Sequence, residues 1–303
     1  MNNLNLGDLS VSRMALGCMR MRDKDRSQVD TLIHTALDCG INFFDHADIY
    51  GKGLSEDLFG QVLSGDSQLR SRMYLQSKCG IHSGTYDFSY DHILTSVEGS
   101  LHRLRTDYLD VLLLHRPDAL AEQEDFANAV QHLKKSGMVR HFGVSNMNPA
   151  QIELLESWCG EPLVADQMQL SLMHAGMVTA GINVNVGNTF GTDFDGSVLP
   201  YCQRTGRVLQ AWSPLQYGMF KGCFVGDPQF PELNAKLNEL ADLYEVTPAA
   251  IAMAWILRIP GKMQVIIGSA DPEHLRQAAQ ADGVQLTRRQ WYELYRSCGY
   301  PLP

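Results

Sequence analysis

Seven cysteines are spread thinly over 303 residues: Cys18, Cys39, Cys79, Cys159, Cys202, Cys223 and Cys298. They are odd in number, form no CxxC, and have no Cys/His spacing of zinc type, so neither a disulfide framework nor a structural zinc site is expected. Reduced thiols in a reducing cytosol follow. No apolar run approaches the length of a membrane span. The first six residues lack a basic segment followed by a long apolar one, so no secretory leader is expected and the location is read as cytoplasmic. No block of like charge is long enough to form a tail. With 25 basic against 34 acidic residues the formal charge is −9, which argues against the basic face that a nucleic-acid partner needs. No GxGxxG follows the first apolar run, so the usual mark of an open dinucleotide-binding sheet is missing.

What the chain does have is rhythm. Its composition, 45% hydrophobic and 19% charged, is that of an ordinary globular protein. A length of 303 residues suits one α/β barrel, read as a single domain over residues 1–303. Residues 4–12 alternate apolar and polar about Gly7-Asp8 and predict a hairpin ahead of the main fold. Strands are expected at 14–19, 41–44, 73–77, 109–114, 139–144, 163–168, 208–212 and 264–267. Between them helical spacing appears at 28–39, at 55–63 with Ser55 as N-cap, at 91–104 capped by Asp91, at 121–136, and at 150–158 behind Asn148-Pro149. Further helices are expected at 199–204, 235–244, 248–257, from 272, and at 287–297; segments 20–25 and 80–89 read as polar loops. Near-continuous apolar strands are parallel and buried on both faces, and eight such units close as an α/β (β/α)8 TIM barrel. Residues 173–197, rich in glycine and asparagine, break the rhythm and are expected as a long loop over the C-terminal rim, part of a substrate or cofactor lid.

Several strands end in polar groups of different kinds. Asp45 follows Phe43-Phe44, with Tyr50 five residues on; Lys78, His115 and Ser145-Asn146 end three others; Gln167, Trp212-Ser213 and Gly268-Ser269 complete the rim. Singly, each has an ordinary reading: an aspartate caps a helix, a lysine reaches solvent, a histidine is structural. Together they form a proton-transfer set. A phenol titrating near its ordinary value of about 10 needs a neighbouring cation to act as an acid, and Lys78 supplies one. A partly buried lysine needs a carboxylate, which is Asp45, and His115 can donate to a carbonyl oxygen. A metal-dependent hydrolase built on His115 and Asp45 would leave Lys78 and Tyr50 idle, and no metal ligand is assigned.

The motifs NFFDHADIYG at 42–51, QSKCG at 76–80, DYLDVLLLHRPD at 107–118, VRHFGVSN at 139–146, AWSPL at 211–215 and IIGS at 266–269 resemble the aldo-keto reductase family in order, spacing and strand context. The resemblance implies an NADP(H)-dependent oxidoreductase that reduces a small aldehyde or ketone to an alcohol, with NADPH rather than NADH as cofactor. It implies Tyr50 as general acid, Lys78 and Asp45 as the groups that tune it, and His115 as the group that orients the carbonyl. Ser145, Asn146 and Gln167 would hold the nicotinamide carboxamide, and Trp212 would stack on the ring. Ser213, Pro214, Leu215 and Gly218 fall on the pyrophosphate loop; Gly268 and Ser269 open the loop for the adenosine phosphate. Met19 and Arg20 are placed with the cofactor-binding residues, at the edge of the substrate pocket. The alternative is a nucleotide-binding barrel that regulates a partner with little turnover, against which the four intact catalytic positions weigh.

Some positions depart from the family pattern. His46 stands beside Asp45 where threonine or serine is common, and Asp166 precedes Gln167 where asparagine is common. Five residues beyond Ser269 stands His274 rather than arginine, so Arg276 is assigned the 2′-phosphate contact. The pyrophosphate loop lacks its usual basic residue, and Lys221 is assigned that part. Backbone amides at the start of the helix after strand eight can hold an anion.

Overall fold

The computed structural model describes residues 1–82, 84–182, 197–218 and 221–300. Its centre is a closed barrel of eight strands: β1 Met14–Gly17, β2 Phe43–Asp45, β3 Tyr74–Cys79, β4 Leu109–Leu114, β5 Val139–Ser145, β6 Leu163–Gln169, β7 Val208–Trp212 and β8 Lys262–Ile267. Each is parallel to its neighbours in sequence, and β8 closes on β1 through Val265 beside Met14. The surrounding helices are α1 Arg26–Asp38, α2 Leu54–Leu63, α3 Tyr90–Leu104, α4 Gln123–Lys135, α5 Pro149–Cys159, α6 Gly176–Ile182, α7 Val198–Thr205, α8 Pro231–Tyr244, α9 Pro248–Leu257, α10 Pro272–Ala279 and α11 Arg288–Ser297. This is the expected (β/α)8 barrel.

Strand periodicity divides the core in two. Outward-facing residues of the strands pack under the helices in one large cluster. Inward-facing Ala15, Phe43, Val111, Leu113, Ala165, Val208 and Ile266 pack on Leu6, Leu9 and Val11 of the expected N-terminal hairpin, Asn3–Leu6 paired antiparallel with Leu9–Ser12. The hairpin therefore plugs the lower end of the barrel and leaves the C-terminal rim for chemistry. α9 is buried on every side, as its unbroken apolar sequence requires. Among the described residues no single helix is long and apolar enough to cross a membrane.

Local details differ from expectation where a turn or cap was misjudged. Ser89 rather than Asp91 caps α3, its hydroxyl accepting from the His92 amide. α2 starts from Gly53 in a left-handed conformation, and Ser55 lies inside the helix with its hydroxyl bonded to Met19 O. The expected loop 20–25 is largely a 3-10 turn, Met19–Asp23, and the expected loop 80–89 holds a small hairpin pairing Ile81–His82 with Thr85–Tyr86. Part of the expected 173–197 loop is α6; residues 183–196 lie outside the described residues.

Candidate active site

Asp45 ends β2, and six residues later the chain turns sharply. Gly51, Lys52 and Gly53 all take left-handed conformations, with φ of 60°, 57° and 90°. Glycine suits such a bend, and a Cβ at Gly51 would lie 2.6 Å from the Arg22 Cβ. This turn holds Tyr50 over the rim. Lys78 reaches it from β3, the neighbouring strand. The Lys78 ammonium donates to Asp45 Oδ1 at 2.7 Å, to His46 O at 2.7 Å and to the Tyr50 hydroxyl at 3.1 Å. Those contacts use all three of its N–H groups. His115 follows β4, its backbone amide fixed on Cys79 O, and its ring meets the Tyr50 ring edge-on with centroids 6.1 Å apart. The four expected catalytic residues are thus brought together.

Burial sets the electrostatics. Lys78 is 1% exposed. Burial works against its charge, but Asp45 and then Tyr50 more than reverse this, holding Lys78 above the usual lysine range. The phenol does not follow the expected direction. Burial raises the Tyr50 pKa, Lys78 pulls it down and Asp45 pushes it up again, leaving it above the ordinary tyrosine value. His115 is pushed well below the usual histidine range by burial, with Lys78 and Arg116 adding to the effect, so its ring is neutral. Its Nδ1 is buried without a partner. His46, beside Asp45, is lowered to about 3 by burial and then by Lys78. It lies edge-on to Phe59 at 4.6 Å with neither ring nitrogen hydrogen-bonded.

The other rim residues form an arc from β5 to β8. Ser145 Oγ donates to Gln167 O at 2.8 Å, and Asn146 donates to Ser145 Oγ at 2.7 Å while accepting from the Trp212 indole at 3.2 Å. Asn146 and Ser213 have left-handed backbones, with φ of 58° and 50°, and strain of this kind gathers at functional sites. Asn146, Gln169 and Trp212 line a cavity of about 640 Å³ that also meets Arg116, Met173 and His174. Pro214 is buried, Leu215 O accepts from the Phe224 amide, and the Lys221 stem lies over Gly218, where a Cβ would meet it at 2.7 Å. Arg20 bridges the ends of the barrel sequence by donating to Gly268 O at 2.9 Å, next to the half-buried Met19.

The fold agrees with comparison to known proteins. Residues 13–297 match the model of the aldo/keto reductase family. The chain belongs to the aldo/keto reductase family. Oxidoreductase YdhF of Escherichia coli (strain K12) is 36% identical over 96% of this chain and 95% of its own length. A 6-dehydroglucose reductase of Agrobacterium fabrum is 34% identical over 97% of each chain. The crystal structure of an aldo/keto reductase from Klebsiella pneumoniae in complex with NADP and acetate superposes with a TM-score of 0.78 at 26% identity, over 100% of this chain and 96% of that one. The protein is an aldo-keto reductase enzyme on the family's barrel.

Within this aldo-keto reductase three features were not anticipated. The N-terminus of α10 is already occupied: Asp271 Oδ1 accepts from the Glu273 and His274 amides, and Ser269 Oγ accepts from the Asp271 amide. Arg276 is exposed and paired with Glu273 at 3.3 Å, a surface pair of small worth that leaves the guanidinium available. Gln167 turns its amide nitrogen inward, to Asp45 Oδ1 at 3.0 Å and Gln210 Oε1 at 3.1 Å, which leaves its carbonyl oxygen for a ligand. Sequence reading missed Gln169, whose Nε2 is a buried donor without a partner, and also Gln76, Gln210 and Gln264 beneath the site. The available signal was a glutamine recurring at inward-facing positions of otherwise apolar strands.

Proposed function

We propose that the chain, as one domain, reduces an aldehyde or ketone to an alcohol with NADPH, and that Tyr50 delivers the proton. The observation that carries this reading is the Lys78 ammonium, fixed by Asp45 and bonded to the Tyr50 hydroxyl. The residues present fit the cofactor: the unpaired donor of Gln169 and the carbonyl of Gln167 suit the two ends of a carboxamide, with Ser145 and Asn146 beside them and Trp212 as the neighbouring ring. Lys221 and Arg276 supply the cations for its phosphates. When bound, NADPH supplies the hydride.

The protein's own part is position and charge. The neutral His115 ring can donate from only one nitrogen, which gives a carbonyl oxygen a single defined direction. The Tyr50 hydroxyl then gives its proton as negative charge appears on that oxygen, and Lys78 stabilises the phenolate left behind. Burial of Lys78 and Asp45 keeps water from screening that charge. The test is Tyr50→Phe, assayed with 4-nitrobenzaldehyde and NADPH by loss of nicotinamide absorbance, with cofactor affinity followed by fluorescence. The expected result is unchanged NADPH binding with reduction lowered by about a hundredfold or more. Comparable turnover by the variant would overturn the assignment of Tyr50.

A further inference from the structure

Beneath Asp45 the barrel lumen is polar. Gln76 on β3, Gln167 on β6, Gln210 on β7 and Gln264 on β8 are buried there, and their amides join into one ladder. Strand register prepares it: Gln264 is level with Gln210, Gln210 with Gln167, and across the lumen Gln76 is level with Asp45. Asp45 Oδ1 accepts from Gln76 Nε2 at 2.6 Å and Gln167 Nε2 at 3.0 Å, in addition to Lys78. Gln76 and Gln210 exchange a pair of hydrogen bonds, each 3.0 Å. Gln210 Oε1 also accepts from Gln167 at 3.1 Å, and its Nε2 donates to Gln264 Oε1 at 2.8 Å. Gln264 Nε2 ends the ladder on Ser12 O at 2.7 Å.

The ladder has a direction that chemistry fixes. Its upper end is a carboxylate and its lower end a backbone carbonyl, and both only accept. Gln76 and Gln167 must therefore show their nitrogens to Asp45, and Gln264 must show its nitrogen to Ser12. Gln210 bonds to all three other glutamines and keeps these orientations consistent. A half-satisfied version of such a network would cost more than an apolar filling.

We propose that Gln210 is a positioning residue of the reaction, holding the Gln76 and Gln167 donors on Asp45 so that less of the carboxylate's charge is spent on Lys78 and more of the ammonium's is felt by Tyr50. This rests on the reading of Tyr50 as proton donor. At the phenol, Lys78 and Asp45 act in opposite directions. Donors that share the charge of Asp45 tip the balance toward Lys78. Without Gln210, the Gln76 oxygen loses its donor and the two upper amides each lose an acceptor, so their nitrogens are held on Asp45 less firmly.

The experiment uses the full chain as Gln210→Met, which keeps length and removes the polar atoms, and as Gln264→Met, one step further from Asp45. The readout is the titration of Tyr50 by ¹³Cζ-tyrosine NMR, its resonance assigned by its loss in Tyr50→Phe, alongside steady-state reduction of 4-nitrobenzaldehyde. In Gln210→Met the Tyr50 midpoint is expected to move up by about one pH unit. Its kcat should fall about tenfold, with KM for the aldehyde held within about twofold. Gln264→Met should move both quantities in the same direction by less, and it carries the test if Gln210→Met does not fold. A Tyr50 midpoint that stays in place or falls in a folded variant would show the ladder to be core filling and overturn the proposal. Absence of turnover in the wild-type protein would instead strike at the proposed function, and the NMR titration would still decide the role of Gln210.

Discussion

Replacing Asp45 by asparagine keeps the shape of the site and removes one charge. Lys78, 1% exposed, would then be a buried ammonium with no counter-ion, since its other acceptors are a carbonyl and a hydroxyl. Breaking a buried pair from one side costs about 3–5 kcal/mol. A separate bound comes from linkage. Lys78 can escape by losing its proton, and moving from its ordinary value of 10.5 to neutral pH costs about 5 kcal/mol at about 1.4 kcal/mol per unit. Unfolding entropy of about 2.1 cal/mol/K per residue gives roughly 0.6 kcal/mol/K for this length, so Asp45→Asn should lower Tm by about 5–8 °C near neutral pH. The pH dependence distinguishes this cause from lost packing. In the wild type the folded pKa of Lys78 is raised, so its contribution is complete below 10.5 and is lost as pH rises through the folded value. In the variant burial acts unopposed by Asp45 and the folded pKa drops. The unfolded chain then binds the extra proton, and stability climbs with pH toward 10.5. Calorimetric Tm measured in steps from neutral to alkaline pH should show the gap between the two proteins closing. A gap under about 2 °C, or one that stays constant with pH, would refute the reasoning.

Three further outcomes follow from the same charges. His46 is neutral when folded and held at about 3 against an ordinary 6.5; the unfolded chain gains a proton first, so this group costs about 1.4 kcal/mol of stability for each unit the pH falls below that ordinary value. His46→Leu removes both the titration and two unpaired ring nitrogens, and its Tm advantage should grow as the pH is lowered; a gap that narrows on acidification would count against the assignment. His115 is neutral well below its usual range, so kcat/KM for aldehyde reduction should be flat between about pH 6 and 8, and a break there that disappears in His115→Asn would refute it. Arg276→Ala should weaken NADPH binding about tenfold and leave NADH unchanged in fluorescence titrations; equal effects on both would remove Arg276 from the 2′-phosphate.

The alternation of apolar strands and amphipathic helices made the barrel legible, because period-two and period-3.6 patterns follow directly from burial. β4 and β7 begin and end where the pattern says. The tetrad was legible for a related reason: in a parallel barrel the order of strands alone sends Asp45, Lys78 and His115 to one rim. Caps were harder. Ser89 and Asp91 both suit an N-cap, and only the extended backbone of Ser89 decides between them. The glutamine ladder was out of reach, because Gln76 and Gln210 meet across the lumen from positions 134 residues apart. Local spacing carries no information on which inward-facing side chains oppose each other. The capped N-terminus of α10 was missed for the opposite reason: Asp271 is a local feature whose side chain competes with any anion for the same amides.

Tyr50 is where sequence and structure point in different directions. A lysine beside a phenol suggests a strengthened acid, yet burial outweighs Lys78 and the resting phenol is weaker than usual. On the proposed reading this slows the proton transfer without abolishing it. If Tyr50 is the donor, as proposed, it must carry its proton before reduction, and a pKa raised above the ordinary tyrosine value keeps it protonated near neutral pH. The acceptor would be a nascent alkoxide, a far stronger base than a phenolate, so the transfer stays favourable although a weaker acid makes it slower. On the same proposed reading, what Lys78 contributes comes only afterwards, when a phenolate would stand beside an ammonium already desolvated and fixed by Asp45. In the reverse direction the phenolate would have to exist before the chemistry begins, and burial opposes that. If Tyr50 is the donor, as proposed, the burial that disfavours its charged form at rest favours reduction over the reverse step at this site.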